Sequence, residues 1–402
     1  MNQEEIRMRK FLIFIPPAIC LIIPLLITAQ NPAPEKIRSI AMLQKSHDWY
    51  VEQANLWQIE AEKKPQNADA WLNYYRSAKY ARLTAGQDQQ TAETLPDPET
   101  IVKDMSRHVP ETFEYYYAKF HHAREPAEHH LFLEKAYELA PDRIELYPYL
   151  IVLYELQRDT VRLAEFCRKY YETNHLSPAI LAWNYNMLAA LEKDAILLVN
   201  GDFDSYPNWI LQHAKGIRKD VAVIEVGQFS IDDFRIKIQV ELNIPPFAHH
   251  ESEYPDYTQF IKEYLKHLVQ HSGERPLYFA TTLYRDYYQH LEDHLYNEGL
   301  AFKYSMEAFD NVAVIRKNFE QVYLLDYLKI DLMNDLSQNA TARFNTNYLP
   351  AFSLLYEYYI SRGNSLRAVE LKQLMLRIAE RSANEEYMDE VRGILEKYGE
   401  EM

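Results

Sequence analysis

Glycine and cysteine are both scarce in this chain: 402 residues hold 9 of the first and 2 of the second. So few glycines disfavour a turn-rich β-sandwich, where left-handed and tight-turn positions recur. They also leave no phosphate-binding glycine loop, no dinucleotide glycine fingerprint and no nucleophile elbow. The cysteines are Cys20 and Cys167. Cys20 lies in an apolar N-terminal run, so the rest of the chain has no internal disulfide to expect. Cys167 falls in an amphipathic segment and reads as a buried thiol. Clustered Lys and Arg are also missing, and the formal charge is -16. Phosphate backbones need clustered cations, so a nucleic-acid partner is excluded. Apolar residues make up 48% of the chain, enough to rule out wholesale disorder.

One long apolar run is present. Residues 11–29 read FLIFIPPAICLIIPLLITA, preceded by Arg7, Arg9 and Lys10. A basic stretch before an apolar run is an export signal. Nineteen residues also suffice to span a bilayer. Two outcomes stay open: cleavage near Thr28-Ala29-Gln30, or retention as an anchor with the basic end inside. Pro16, Pro17 and Pro24 favour cleavage. Either way the chain is expected to be exported, periplasmic or envelope-associated.

Tyrosine is abundant, at 32 residues. From about residue 37 to 191, apolar and aromatic residues recur at three- and four-residue spacing, which predicts helices. Helices are expected over 47–64, ended by Pro65, and over 69–84, ended by Gly86. A loop is expected at 95–98 and a helix pair about Pro126. In 127–172 a helix, a Pro-Asp turn and a second helix with Tyr147, Leu150 and Tyr154 on one face resemble the tetratricopeptide repeat. The usual repeat glycine is missing, with Ile151 after Leu150. Phe352, Leu355, Tyr359 and Ala368 repeat the phase near the C-terminus.

Between these arrays the texture changes. Residues 195–200 (AILLVN), 221–226 (VAVIEV), 277–283 (LYFATTL) and 312–315 read as short buried strands. Helices are expected between them over 206–217, 231–242, 257–271 and 287–298. Strands alternating with helices predict a small, mainly parallel sheet. The fold class is therefore α with an inserted α/β domain, in which stacked helical hairpins surround the sheet. Expected boundaries are 1–30 for the signal or anchor, 31–192 for helical repeats, 193–320 for the α/β domain and 321–402 for C-terminal hairpins.

Asn200-Gly-Asp-Phe-Asp-Ser-Tyr-Pro207 follows the first strand. In open α/β sheets, ligands bind outside the carboxyl ends of strands. Asp202 and Asp204 offer oxygen ligands to a divalent cation. They equally suit a turn at Gly201 with Asp204 or Ser205 capping a helix that opens near Pro207. Paired histidines occur at His290 and His294, and at 121–122, 129–130 and 249–250. They read as solvated polar faces, not as metal ligands.

Residues 200–221 (NGDFDSYPNWILQHAKGIRKDV) resemble the signature of the soluble C-terminal portion of bacterial, Bacteroidota-type protein O-mannosyltransferase-like membrane proteins. Segments 275–280 and 298–302 resemble later parts of the same portion. The resemblance spans roughly 195–316. It implies Asn200, Asp202, Asp204, Trp209 and Arg218 as candidate ligand-binding residues, with Asp202 and Asp204 as the candidate metal pair. The multi-helix membrane part that carries transferase chemistry in that family has no counterpart here, so no catalytic residue is carried over. The expectation is an exported interaction scaffold for a protein partner in a cell-envelope assembly, without a resident cofactor. The alternative is glycan transfer through an Asp-x-Asp site.

Overall fold

The computed structural model describes residues 33–40, 43–86, 96–123, 125–330 and 338–399. The apolar run at 11–29, with Cys20, lies outside them. Among the described residues no helix is long and apolar enough to cross a membrane.

The chain begins with paired helices: α1 (His47–Lys63), α2 (Ala68–Thr84), α3 (Pro98–His108), α4 (Phe113–His122), α5 (Pro126–Leu139), α6 (Tyr147–Gln157), α7 (Thr160–Glu172) and α8 (Pro178–Ala190). Their starts follow local chemistry. Side chains of Ser46, Asn67, Thr112, Asp159 and Ser177 accept N–H groups of the first turns of α1, α2, α4, α7 and α8. These bonds satisfy donors that a helix N-terminus leaves open. Proline occupies the first turn of α3, α5, α6 and α8, where its missing N–H costs nothing. α1 packs on α2, α4 on α5 and α6 on α7. Successive hairpins also touch, α2 against α3 and α4, and α5 against α6.

The sheet follows: β1 (Ile196–Val199), α9 (Asp202–Lys215), β2 (Ala222–Glu225), α10 (Asp232–Leu242), α11 (Tyr257–His271), β3 (Leu277–Ala280), α12 (Arg285–Tyr288), β4 (Leu295–Asn297) and β5 (Ala301–Tyr304). Strand order is β2-β1-β3-β5-β4. β1 pairs parallel with β2 and β3, while β3–β5 and β5–β4 are antiparallel. The sheet is thus mixed. Its three parallel strands are the expected ones.

Two expectations about the later part fail. Residues 312–315 do not form a strand but lie in α13 (Asn311–Lys317), because Asp310 caps it by accepting the N–H of Ala313 at 3.0 Å. Residues 287–298 are not one helix. α12 ends in a 3-10 turn over Gln289–His294, and the chain then enters β4. The β4–β5 turn needs Gly299, which has φ +131°; a Cβ there would lie 1.9 Å from the Tyr323 hydroxyl oxygen.

The chain closes with α14 (Asp326–Lys329), α15 (Gln338–Asn345), α16 (Leu349–Ser361), α17 (Ser365–Ser382) and α18 (Glu385–Gly399). Phe352, Leu355, Tyr359 and Ala368 are all buried in the α16–α17 hairpin.

Burial alternates across the sheet with the period of two that a strand imposes. Leu197, Val199, Tyr278 and Ala280 join a core that runs through the helices before and after the sheet. Ile196, Leu198, Leu277 and Phe279 join a second core with α10 and α11. Asn186, fully buried, links the early and late helices. Its amide donates to the Tyr348 hydroxyl at 2.8 Å and accepts the Leu324 N–H at 2.7 Å.

Candidate functional site

At the end of β1 the chain turns through Gly201, whose φ of +97° is open to glycine and strained for other residues. α9 then begins at Asp202, four residues before the expected start at Tyr206. Pro207 is therefore inside the helix. A proline there cannot pair with the carbonyl four residues back, that of Phe203. Asn184 of α8 supplies the missing donor, its amide reaching the Phe203 oxygen at 2.8 Å.

Asp204 is fully buried. It does not cap a helix near Pro207. One carboxylate oxygen accepts the Asn200 N–H at 3.0 Å and the Thr282 hydroxyl, tying the ends of β1 and β3 together. The other oxygen has no partner. Burial pushes this carboxyl up to about 8, against the hydrogen bonds from Thr282 and Asn200. Asp202, one turn-step away, is open to solvent. The structure thus separates the two aspartates, one enclosed and already bonded, the other exposed. They do not present a joint chelating face. Among the described residues no group of three or more His, Cys, Asp or Glu side chains is placed to hold a metal.

The remaining candidates are engaged within the protein. Trp209 is 2% exposed, and its indole N–H donates to the Val223 carbonyl at 3.1 Å, fixing α9 on β2. Gln212 donates to the carbonyls of Arg218 and Val221. Arg218 donates to the carbonyls of Leu188, Leu191 and Glu192 at 2.9, 2.7 and 2.7 Å. It also grips Asp220 with both carboxylate oxygens at 3.0 and 2.9 Å. Those bonds hold the Asp220 carboxyl well below the usual range. Arg218 precedes β2 and so stands at the amino end of the sheet. A strand length of about 13 Å separates it from the Asp202 end. Most of the 200–221 signature is therefore a set of internal braces.

What the carboxyl end does gather is different. Glu225, at the end of β2, accepts the Gly227 N–H at 3.0 Å. Burial raises its carboxyl, while N–H groups of Gly227, Gly201 and Gln228 oppose the rise and Asp202 adds to it. Asp202 is raised by burial against a hydrogen bond with Tyr206. Water reaches Asp202 and partly reaches Glu225, yet protein around them desolvates both. Both carboxyls thus stand at the carboxyl end of the sheet, partly enclosed by protein.

Burial pushes Tyr170 up to about 12, and Asp202 adds to the rise. Burial raises Tyr206, with Asp202 adding to the rise, and burial raises Tyr149, with Tyr117 adding to it. The Tyr149 ring lies 6.4 Å from Tyr117 and 5.0 Å from His121, centroid to centroid. Burial and the cations Lys79 and Arg76 hold His121 well below its usual value. Lys79, Tyr80, His121 and Tyr149 remain partly open to water. One line of side chains thus runs from acids at the sheet, through phenols, to cations on α2.

Sequence reasoning passed over Glu225, Thr282, Tyr149 and Tyr170. The signal for the first two was present, since each stands at or just beyond the carboxyl end of a parallel strand. His290 and His294 fall in a 3-10 turn, not on one α-helical face. Cys167 is fully buried, and burial raises its thiol.

Residues 181–267 match the family model described as TMEM260-associated domain 2. The match spans well under half of the chain and contains the whole 200–221 motif. No curated protein matches this chain. Among solved structures, yeast Tom70 is similar at a TM-score of 0.27 and 10% identity, over 89% of this chain and 56% of that one. The chain thus spans little more than half the length of that structure, and a likeness of this degree carries no argument about fold or function.

Proposed function

We propose that this chain is an exported interaction scaffold that holds a protein partner of the cell envelope at the carboxyl end of the sheet and along the adjoining helices. The observation that carries the reading is the set of acids and phenols left open there: Asp202 is exposed, and Glu225, Tyr206 and Tyr149 are partly open to water. A bound segment would cover them. Phenols supply large contact area with a polar tip, a combination favoured at recognition surfaces. Acids at one end and Lys79 at the other would orient a charged segment. Export rests on the basic-then-apolar pattern ahead of residue 30.

The test is affinity purification of the tagged full-length protein from its native envelope, followed by mass spectrometry. A stoichiometric partner is expected, and it should be lost with Tyr149→Ala or Tyr206→Ala while circular dichroism stays unchanged. A protein that purifies alone, or a partner held equally by both variants, overturns the reading.

A second reading is an accessory role in glycan transfer. It is favoured by the match over 181–267 to a domain associated with TMEM260, itself a protein O-mannosyltransferase. Asp202 would then contact the sugar or its carrier. Asp204 is a poor partner for a cation, because its buried carboxyl is raised to about 8. Under this reading Asp202→Asn would abolish a transferase activity without moving the melting temperature.

A further inference from the structure

Residues 33–40 carry no regular secondary structure but are tightly fastened to the first hairpin. The Glu35 N–H donates to the Gln53 side chain at 2.7 Å, and the Ile37 N–H to the Asn73 side chain at 2.8 Å. Trp57 donates its indole N–H to the Glu35 carbonyl at 2.8 Å. Gln53 and Asn73 are 3% and 1% exposed, and Ile37 is 1% exposed. Buried amides that spend their acceptors on another segment's backbone hold that segment in one place. The chain is therefore fixed against α1 and α2 from residue 33 onward. Three residues separate that point from the end of the 11–29 apolar run, a reach of at most about 10 Å.

Beside this fastened segment lies a cleft of about 450 Å³. Lys36, Arg38 and Lys45 line it with Leu43 and Trp49, and Glu35 is its one acid. All three cations are exposed. None of them is in an ion pair among the described residues. Lys45 Nζ stands 5.7 Å from the centre of the Trp49 ring, and Leu43 is 38% exposed. Three unpaired cations with an apolar edge and an indole stand out on a chain of formal charge -16. Indole rings settle at the headgroup level of a bilayer, and Lys and Arg there gain about 1 kcal/mol each from anionic lipid.

We infer that the face formed by Lys36, Arg38, Leu43, Lys45 and Trp49 docks on the phosphate headgroups of anionic phospholipid, holding the helical array against the membrane surface. The inference rests on the envelope reading above. It adds that the body lies on the bilayer instead of hanging from it.

The test uses the full chain in nanodiscs of phosphatidylcholine alone, or of phosphatidylcholine with phosphatidylglycerol, each carrying brominated lipid. Trp49 emission should be quenched in the anionic discs and recover in high salt, where the Debye length falls to about 3 Å. Trp49→Phe identifies the quenched signal among the other tryptophans. Reversing the cations together (Lys36→Glu, Arg38→Glu, Lys45→Glu) should weaken the contact about a hundredfold, with an unchanged circular dichroism spectrum. Equal quenching in both lipids, or quenching that survives charge reversal, overturns the inference alone. A chain that co-purifies with neither disc overturns both the envelope anchoring and this inference.

Discussion

At the amino end of β1 and β2, Arg218 spends its guanidinium on three backbone carbonyls and both oxygens of Asp220, and Asp220 also accepts the Asp194 N–H. At the carboxyl end of the same strands, Asp202, Asp204 and Glu225 have no counter-ion among the described residues, and burial raises all three carboxyls. Both ends belong to one motif of 22 consecutive residues, 200–221, with Glu225 four residues beyond. The difference separates charge that holds the fold from charge left over. A paired and hydrogen-bonded carboxylate lowers its own energy in the folded state. A desolvated, unpaired one raises it, and such groups cluster where a protein meets something else.

The largest effect should come from the amino end. Arg218→Ala removes the donor for three carbonyls and leaves Asp220 without its partner. A loss of about 3 kcal/mol in denaturant unfolding is expected. Part of it should depend on pH. The Asp220 carboxyl is depressed in the folded state, so its contribution is present above the unfolded value of 3.8 and fades as pH falls below it. The gap between wild type and variant should therefore narrow in acid. A variant as stable as the wild type would erase the contrast between the two ends.

Asp204→Asn should act with the opposite sign. Its folded carboxyl is raised to about 8 from an ordinary 3.8. Between those values the unfolded chain gives up its proton while the folded one keeps it, so rising pH costs the wild type stability. Asparagine mimics the protonated acid and carries no such cost. Thermal melts should show the variant gaining on the wild type, on the order of 2 kcal/mol between about pH 5 and pH 8. A pH-independent gap would mean that Asp204 is ionised when folded.

Asp202→Asn should be the mildest in stability, within about 0.5 kcal/mol of the wild type, because the side chain is exposed and its favourable charge near the helix N-terminus is offset by the desolvation that raises its carboxyl. Partner capture should nonetheless fall, read in the same pull-down. Unchanged capture would sharpen the comparison in the other direction, moving the functional weight from the acids to the phenols.

Local chemistry made much of the fold readable in advance. Helix starts follow from Ser46, Asn67 and Asp159 as caps and from first-turn prolines. β1 to β3 follow from short branched apolar runs. The failures share a physical form. Residues 312–315 look like a strand because they are β-branched, yet Asp310 caps them as a helix. Pro207 looks like a helix start because the donor that replaces its missing N–H, Asn184, is 23 positions back in the chain. β4 is a three-residue strand, too short to show a period, and its turn depends on space beside Tyr323.

The site divided in the same way. Gly201, Asp202 and Asp204 could be picked out because they lie within four residues at a strand end. Adjacency in sequence made the two aspartates look like a pair. Tertiary packing sealed one behind Asn200 and Thr282 and left the other facing Tyr206 and Tyr170. Trp209 and Arg218 were candidates because the resemblance over 200–221 implies them, and packing uses their donors internally.

The sequence by itself determined the early helices, the three parallel strands, the apolar N-terminal run and the acidic balance, since caps, periods and charges are local properties. Which carboxyls are sealed in the core, and which side chains stand open at the carboxyl end of the sheet, only the tertiary structure decided. Desolvation and hydrogen bonding depend on neighbours contributed from segments as distant as residues 149, 225 and 282.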